Sequence, residues 1–358
     1  MNDFYCVIMA GGIGSRFWPL STPKVPKQFL DFLGVGKTLL QLTYDRFSNL
    51  CNPNNIFVIT NESYAQLVSE QLPDLKVNNI LREPFRKNTA PCIAYAANRI
   101  FCENPNAVFI AAPSDHFIPE QNKFEHTIQV GIDQAICEEC LVTIGINPSR
   151  PETGYGYIQF IEDGTGCAGI VKKVKTFTEK PNHDLAVQFL NSGDFYWNSG
   201  IFIWKVNSII KAIENHLPEI HTLFSNDNIS YGTPDEKDSI RNAYQYCTSI
   251  SIDYGIMEKA KNTYMVQADF SWTDLGSWRS LYSYLQKDNN GNAISGKKVM
   301  LYDSSNCIIN MQDNKLAILQ GLDDYIVVDT KETLLICHKK DEQRLRHFVN
   351  DAKLKKWL

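Results

Sequence analysis

FYCVIMAGGIGSRFWPLSTPKVPKQFL, residues 4–30, runs from an apolar stretch into three glycines, an arginine and two lysines in a proline-stiffened run. The β-branched and aromatic residues of FYCVIMA predict a buried strand. Gly11, Gly12 and Gly14 leave bare backbone N–H groups that can approach an anion, and Arg16 can grip one through two parallel hydrogen bonds. Lys27 adds a point charge, with Pro23 and Pro26 restricting the backbone around it. Such a layout suits positioning and neutralising a polyphosphate rather than attacking it.

Two better-known phosphate loops do not fit the stretch. A dinucleotide fingerprint needs a third glycine where Phe17 stands, which argues against a nicotinamide oxidoreductase. A Walker loop needs its leading glycine where Asp31 stands, although Gly36, Lys37 and Thr38 imitate its tail.

Outward from the loop, NIFVIT, AVFIAA and LVTIGI repeat the strand pattern of FYCVIMA, separated by segments with helical spacing. This βαβα order predicts an α/β fold with a mainly parallel sheet whose ligands sit beyond the carboxyl ends of its strands. Residues 38–50 and 88–101 read as helices, the second capped at Asn88 or Thr89 with a proline in its first turn. After the polar connector KDNNGNAISGKK come the short apolar pieces VMLYD, CIIN, LAILQG, YIVVD and TLLICH, then an amphipathic terminal helix. The predicted division is a large α/β domain over 1–287 and a β-rich domain over 288–358.

With 358 residues, 44% hydrophobic and 21% charged, the chain has the composition of a folded globular protein too long for one core. A net charge of −5 argues against a nucleic-acid partner. No apolar run is long enough to span a membrane and the N-terminus lacks signal-peptide features, so a cytoplasmic location is expected. The ten cysteines read as reduced thiols, and Cys137 and Cys140 have no second pair at metal spacing.

The run G-G-x-G-x-R-x-W-P-L-S followed by P-K-Q-F-L resembles the signature of sugar nucleotidyltransferases, and among them the mannose-1-phosphate guanylyltransferases. REPFRKNTAP, APSDH, ETGYGYI, FTEKP, WNSGIF, DYGIMEK and WTDLGSW continue the resemblance in that family's order across most of the chain. It implies a Rossmann-like, GT-A-like catalytic domain with a mixed, mainly parallel sheet, and a C-terminal part similar to a truncated left-handed β-helix. It also implies transfer of GMP from GTP to mannose 1-phosphate with no covalent intermediate, and a homodimer. Another sugar 1-phosphate or nucleotide, or a non-catalytic regulatory homologue, are the alternative readings. The cupin-like isomerase domain of longer members would bring clustered histidines, whereas His338 and His347 stand apart, so no isomerase activity is expected.

Carried onto this sequence, the resemblance assigns Arg16, Lys27, Asp115, Lys180 and Asp274 to catalysis, and Asp115 with Asp274 to Mg²⁺, a cation held by few carboxylates plus phosphate and water. Gly11, Gly12, Gly14, Ser15, Arg16, Lys27 and Asp115 fall to the nucleotide, with Glu83, Asn88 and Thr89 at the base. A guanine edge offers N–H donors, which a carboxylate such as Glu83 can accept. Gly156, Glu179, Lys180, Asn198 and Asp253 are the expected sugar-phosphate residues.

Overall fold

The computed structural model describes residues 4–161 and 170–357. Packing divides the chain into two compact units. One comprises Met1–Gly11, Thr43–Ser114 and Ile118–Trp272, and the other Gly12–Leu42, Asp115–Phe117 and Thr273–Leu358.

The first unit is built on a nine-stranded sheet. Its strands are β1 (Tyr5–Met9), β2 (Ile56–Asn61), β3 (Ile80–Glu83), β4 (Val108–Pro113), β5 (Leu141–Ile146), β6 (Tyr157–Ile161), β7 (Val171–Thr178), β8 (Phe195–Lys205) and β9 (Thr263–Gln267). Their order is β3-β2-β1-β4-β8-β5-β9-β7-β6, and β6 pairs with β8 as well. From the pairings, β1 to β6 and β9 run one way, and β7 and β8 run against them. The expected strands at 4–10, 55–60, 107–112 and 141–146 are thus β1, β2, β4 and β5. Their near-continuous burial reflects helices covering both faces, which is why they read as unbroken apolar runs. Helix Thr89–Glu103, with Asn88 as its cap, buries eleven consecutive residues from Ala90 to Ile100.

The second unit holds β10 (Ala293–Ser295), β11 (Val299–Tyr302), β12 (Ile308–Asn310), β13 (Ala317–Gln320), β14 (Tyr325–Asp329) and β15 (Leu334–His338), followed by helix Leu345–Leu354. Parallel stacking of β10, β12 and β14, and of β11 with β13, gives the coiled layering of a short β-helix; β15 closes it antiparallel. Phe17, 1% exposed, packs tilted against Phe32 and edge-on against Trp278 in one core with Leu275, Ile308, Ile326 and Leu345. Burying a ring of that size is worth about 1.5–3 kcal/mol. This apolar anchor is why packing joins the signature loop to the C-terminal strands.

Candidate active site

In the second unit, Gly14 opens the short turn Ser15–Phe17 with a φ of 62°, a left-handed conformation that glycine tolerates. A Cβ at Gly14 would collide with Lys27 Cβ and come within 3.0 Å of Lys27 N. The glycine therefore lets the loop close directly onto Lys27. Pro26 precedes the turn Lys27–Phe29, in which the lysine is buried. Its ammonium donates to the carbonyls of Asp274 at 2.7 Å and Leu275 at 3.1 Å, and pairs with Asp115 Oδ2 at 2.9 Å. All three of its N–H donors are thereby engaged inside the protein. In this arrangement Lys27 presents the cavity with charge and not with vacant hydrogens.

Asp274 sits in a tight turn, where its Oδ1 accepts from Gly276 N at 2.8 Å and Leu275 adopts a φ of 43°. That strained residue is held by burial in the Phe17 core. Arg16 donates weakly to the Gly276 carbonyl at 3.4 Å and remains exposed. Gly14, Arg16, Lys27, Asp115 and Asp274 line one cavity of about 220 Å³. Burial alone would raise the Asp115 carboxyl, but the Lys27 charge, His116 and hydrogen bonds outweigh it and hold the group below the ordinary carboxylate value. Asp115 is therefore ionised at neutral pH beside a second carboxylate.

Gly12 presents open space where a side chain would be, and its carbonyl accepts from Gln28 Nε2 at 2.9 Å. Ser15 contributes backbone to the turn, while its side chain lies outside the described residues.

The base and sugar candidates belong to the first unit. Glu83, at the end of β3, is buried; its Oε1 accepts from Tyr244 Oη at 2.9 Å, and a Cβ on Gly11 would stand 2.9 Å from its Oε2. Burial pushes its carboxyl up to about 7, with the Tyr244 hydroxyl and Arg86 pulling the other way. Since the folded value exceeds the ordinary 4.5, the folded chain binds this proton more tightly than the unfolded chain. The resulting stability is full below about pH 4.5 and is lost as pH rises through about 7. Glu83→Gln should remove a decline of about 1–3 kcal/mol in unfolding free energy between about pH 5 and pH 8, read from urea midpoints. An identical decline in the variant would mean that Glu83 ionises freely.

Asn88 caps its helix by accepting from Thr89 N at 3.0 Å, and Thr89 Oγ1 accepts from Ile252 N at 2.8 Å. This second bond ties the expected base loop to the segment carrying Asp253. Arg86 and Lys87 are held by protein groups, the Tyr64 hydroxyl at 2.6 Å and the Cys247 carbonyl at 3.0 Å.

Gly156, Glu179, Asn198 and Asp253 are neighbours. Asn198 Nδ2 donates to Asp253 Oδ1 at 2.9 Å, while its Oδ1 accepts from Thr143 Oγ1 at 3.0 Å and Gly200 N at 3.1 Å. The amide is thus oriented from both ends. A Cβ on Gly156 would lie 2.5 Å from Glu179 Oε2, so a side chain there would displace that carboxylate from its present position. Burial, and then the Glu179 charge, push the Asp253 carboxyl up to about 7. Such a group can donate to or accept from a hydroxyl near neutral pH. Lys180 pairs with Glu179 and belongs to this first-unit cluster; it does not line the cavity that gathers the other four catalytic candidates. Tyr244 and Thr143 went unrecognised in the sequence, where neither sits in a motif.

Fold and site together define a nucleotide-handling α/β protein, and the family model described as nucleotidyl transferase matches residues 5–291: the chain belongs to that family. Residues 296–351 match the MannoseP isomerase/GMP-like beta-helix domain. The mannose-1-phosphate guanylyltransferase of Escherichia coli is 37% identical over 97% of this chain and 73% of its own length. AlgA, an alginate biosynthesis protein of Pseudomonas aeruginosa, is 37% identical over 96% of this chain and 71% of its own. The crystal structure of mannose-1-phosphate geranyltransferase from Thermus thermophilus superposes with a TM-score of 0.86 at 27% identity, covering 98% of this chain and all of that one.

Proposed function

We propose that the chain transfers GMP from GTP to α-D-mannose 1-phosphate, releasing pyrophosphate. The observation that carries this reading is the second-unit cavity, whose lining combines Arg16, Lys27, Asp115 and Asp274 and includes no hydroxyl or thiol nucleophile among the described residues. Relatives named for this activity, similar along most of the chain, supply the substrates.

In the reaction a phosphate oxygen of the sugar phosphate forms a bond to the α-phosphorus while the bond to the β-phosphate oxygen breaks. The electron pair leaves on pyrophosphate. Nothing covalent is asked of the protein; it must hold two anions in line and offset the charge that shifts onto the leaving group. Arg16 and the glycine loop bind the triphosphate, and Lys27 contributes charge and holds Asp115 in place. Glu83, Asn88 and Thr89 serve the base, and Glu179, Lys180, Asn198 and Asp253 the sugar phosphate.

Among the described residues no group of three or more His, Cys, Asp or Glu side chains could hold a metal ion. Two carboxylates facing one cavity nevertheless fit Mg²⁺, which completes its shell with phosphate oxygens and water. Asp115 and Asp274 would hold it, and when bound it supplies further neutralisation of phosphate charge.

The reading extends to a catalytic domain over 1–287 with a β-rich domain over 288–358, a homodimer and a cytoplasmic location. Exposed Met300 and Ile318, adjacent on β11 and β13, and Leu334 and Ile336 on β15 offer apolar surface to a second copy. A concentration-independent monomer mass by sedimentation would rule the dimer out. No helix among the described residues is long and apolar enough to cross a membrane.

The test is pyrophosphate release with Mg²⁺, offering GTP, ATP, UTP and dTTP against mannose 1-phosphate and other sugar 1-phosphates. Selective release with GTP and mannose 1-phosphate is expected. Another selective pair would overturn the substrates, and silence across the panel would overturn the enzyme.

A further inference from the structure

Helix Leu345–Leu354 starts within the core of the second unit. Leu345, 1% exposed, packs in the cluster that holds Phe17, Leu275 and Trp278. Just before the helix, Glu342 accepts a hydrogen bond from Arg279 N at 3.1 Å. Two anchors of different chemistry therefore pin the start of the helix. Successive side chains on a helix are turned by about 100°, so burying Leu345 fixes the direction of Arg346.

That direction is the cavity. Arg346 lines the same space of about 220 Å³ as Gly14, Arg16, Lys27, Asp115 and Asp274. It also flanks an adjoining cleft with Arg16, Ser277 and Glu342. Lys27 directs its three donors to protein oxygens. Arg16 and Arg346 are then the two guanidinium forks lining the cavity, and such forks match phosphate oxygens with paired hydrogen bonds.

We infer that Arg346 binds the polyphosphate of the nucleotide, so that the C-terminal helix completes the anion site that the glycine loop begins. The inference rests on the nucleotidyl-transfer reading for its ligand. It gives the β-rich segment a part in substrate binding in addition to any role in assembly. Neither anchor depends on Arg346, whose side chain is exposed, so its replacement leaves the fold intact.

The experiment uses the full chain as wild type, Arg346→Ala, Arg346→Lys and Lys353→Ala. Lys353 is an exposed cation on the same helix that does not line the cavity. Inorganic tripolyphosphate binding is measured by calorimetry and KM by pyrophosphate release. Charge-assisted hydrogen bonds predict tripolyphosphate binding weakened about tenfold or more in Arg346→Ala, partial recovery in Arg346→Lys and no change in Lys353→Ala. KM for GTP should rise with KM for mannose 1-phosphate within about twofold.

Binding in Arg346→Ala within about twofold of wild type, equal weakening in Lys353→Ala, or no tripolyphosphate binding by wild type would each overturn the inference. If wild type turns over no nucleotide yet binds tripolyphosphate in an Arg346-dependent way, the transfer reading fails and the anion site stands. Normal turnover with Arg346-independent binding separates the opposite failure.

Discussion

Lys27→Ala is expected to lower kcat/KM for pyrophosphate release by two or more powers of ten, about 2.7 kcal/mol or more of transition-state stabilisation. The ammonium is bound to Asp115 and to the carbonyls of Asp274 and Leu275, so its loss unties both candidate metal ligands at once. It also removes positive charge from the wall of the cavity where negative charge shifts during transfer. Lys27→Met separates these effects from packing, because methionine keeps an unbranched apolar stem near the Phe17 ring. Both variants should show the same defect if charge is what matters. The pH dependence supplies a second reading. Lys27 is the leading influence holding the Asp115 carboxyl down against burial, so without it that carboxyl titrates at higher pH. The stability a depressed carboxyl contributes is present above its unfolded value and lost as pH falls through the folded one. In the variants that loss should be reduced, and the acid limb of the rate profile should move to higher pH. Near-normal rates with an unmoved acid limb would remove Lys27 from the mechanism.

Much of the first unit was legible because its chemistry is local. β1, β2, β4 and β5 are covered on both faces, which forces continuous apolar runs; Asn88 caps a helix with its own side chain, which needs no distant partner. The sheet's reversed strand β8 is different. Its eleven residues pair with β4, β5 and β6, so its sequence answers three neighbours at once and shows no simple period. The site divides on the same principle. Gly14, Arg16 and Lys27, which line one cavity, lie in one short stretch where motif spacing alone groups them. Tyr244 meets Glu83 across 161 positions and Thr143 meets Asn198 across 55, separations that leave no pattern in a window of sequence. Arg346 is the extreme case, since a cation on an amphipathic terminal helix reads as a solvated face until the burial of Leu345 shows which way the helix is turned.

Asp274→Asn should be as damaging to turnover as the loss of Lys27 while sparing the fold. Asparagine retains an oxygen able to accept from Gly276 N, the 2.8 Å bond that closes the turn around strained Leu275. The main-chain carbonyls of residues 274 and 275 still receive the Lys27 ammonium, because they do not depend on the side chain. What disappears is one negative charge on the cavity wall beside Asp115. If that charge served only the protein, its removal would relieve repulsion between two carboxylates and leave the rate intact. Should it hold a divalent cation against the triphosphate, kcat falls by two or more powers of ten, about 2.7 kcal/mol or more, and half-maximal rate needs more Mg²⁺. A Mg²⁺ titration of wild type and variant distinguishes these outcomes, with thermal melts to verify folding and excess chelator as the limit at zero metal. Full activity of wild type in chelator, or an Asp274→Asn enzyme with wild-type rate and metal dependence, would take the metal away from this pair. A slow variant whose metal dependence is unchanged would keep the Asp274 charge in the chemistry without a metal, as a fixed negative field on the cavity wall beside Lys27 and Asp115, since asparagine preserves the turn and both carbonyls that the ammonium needs.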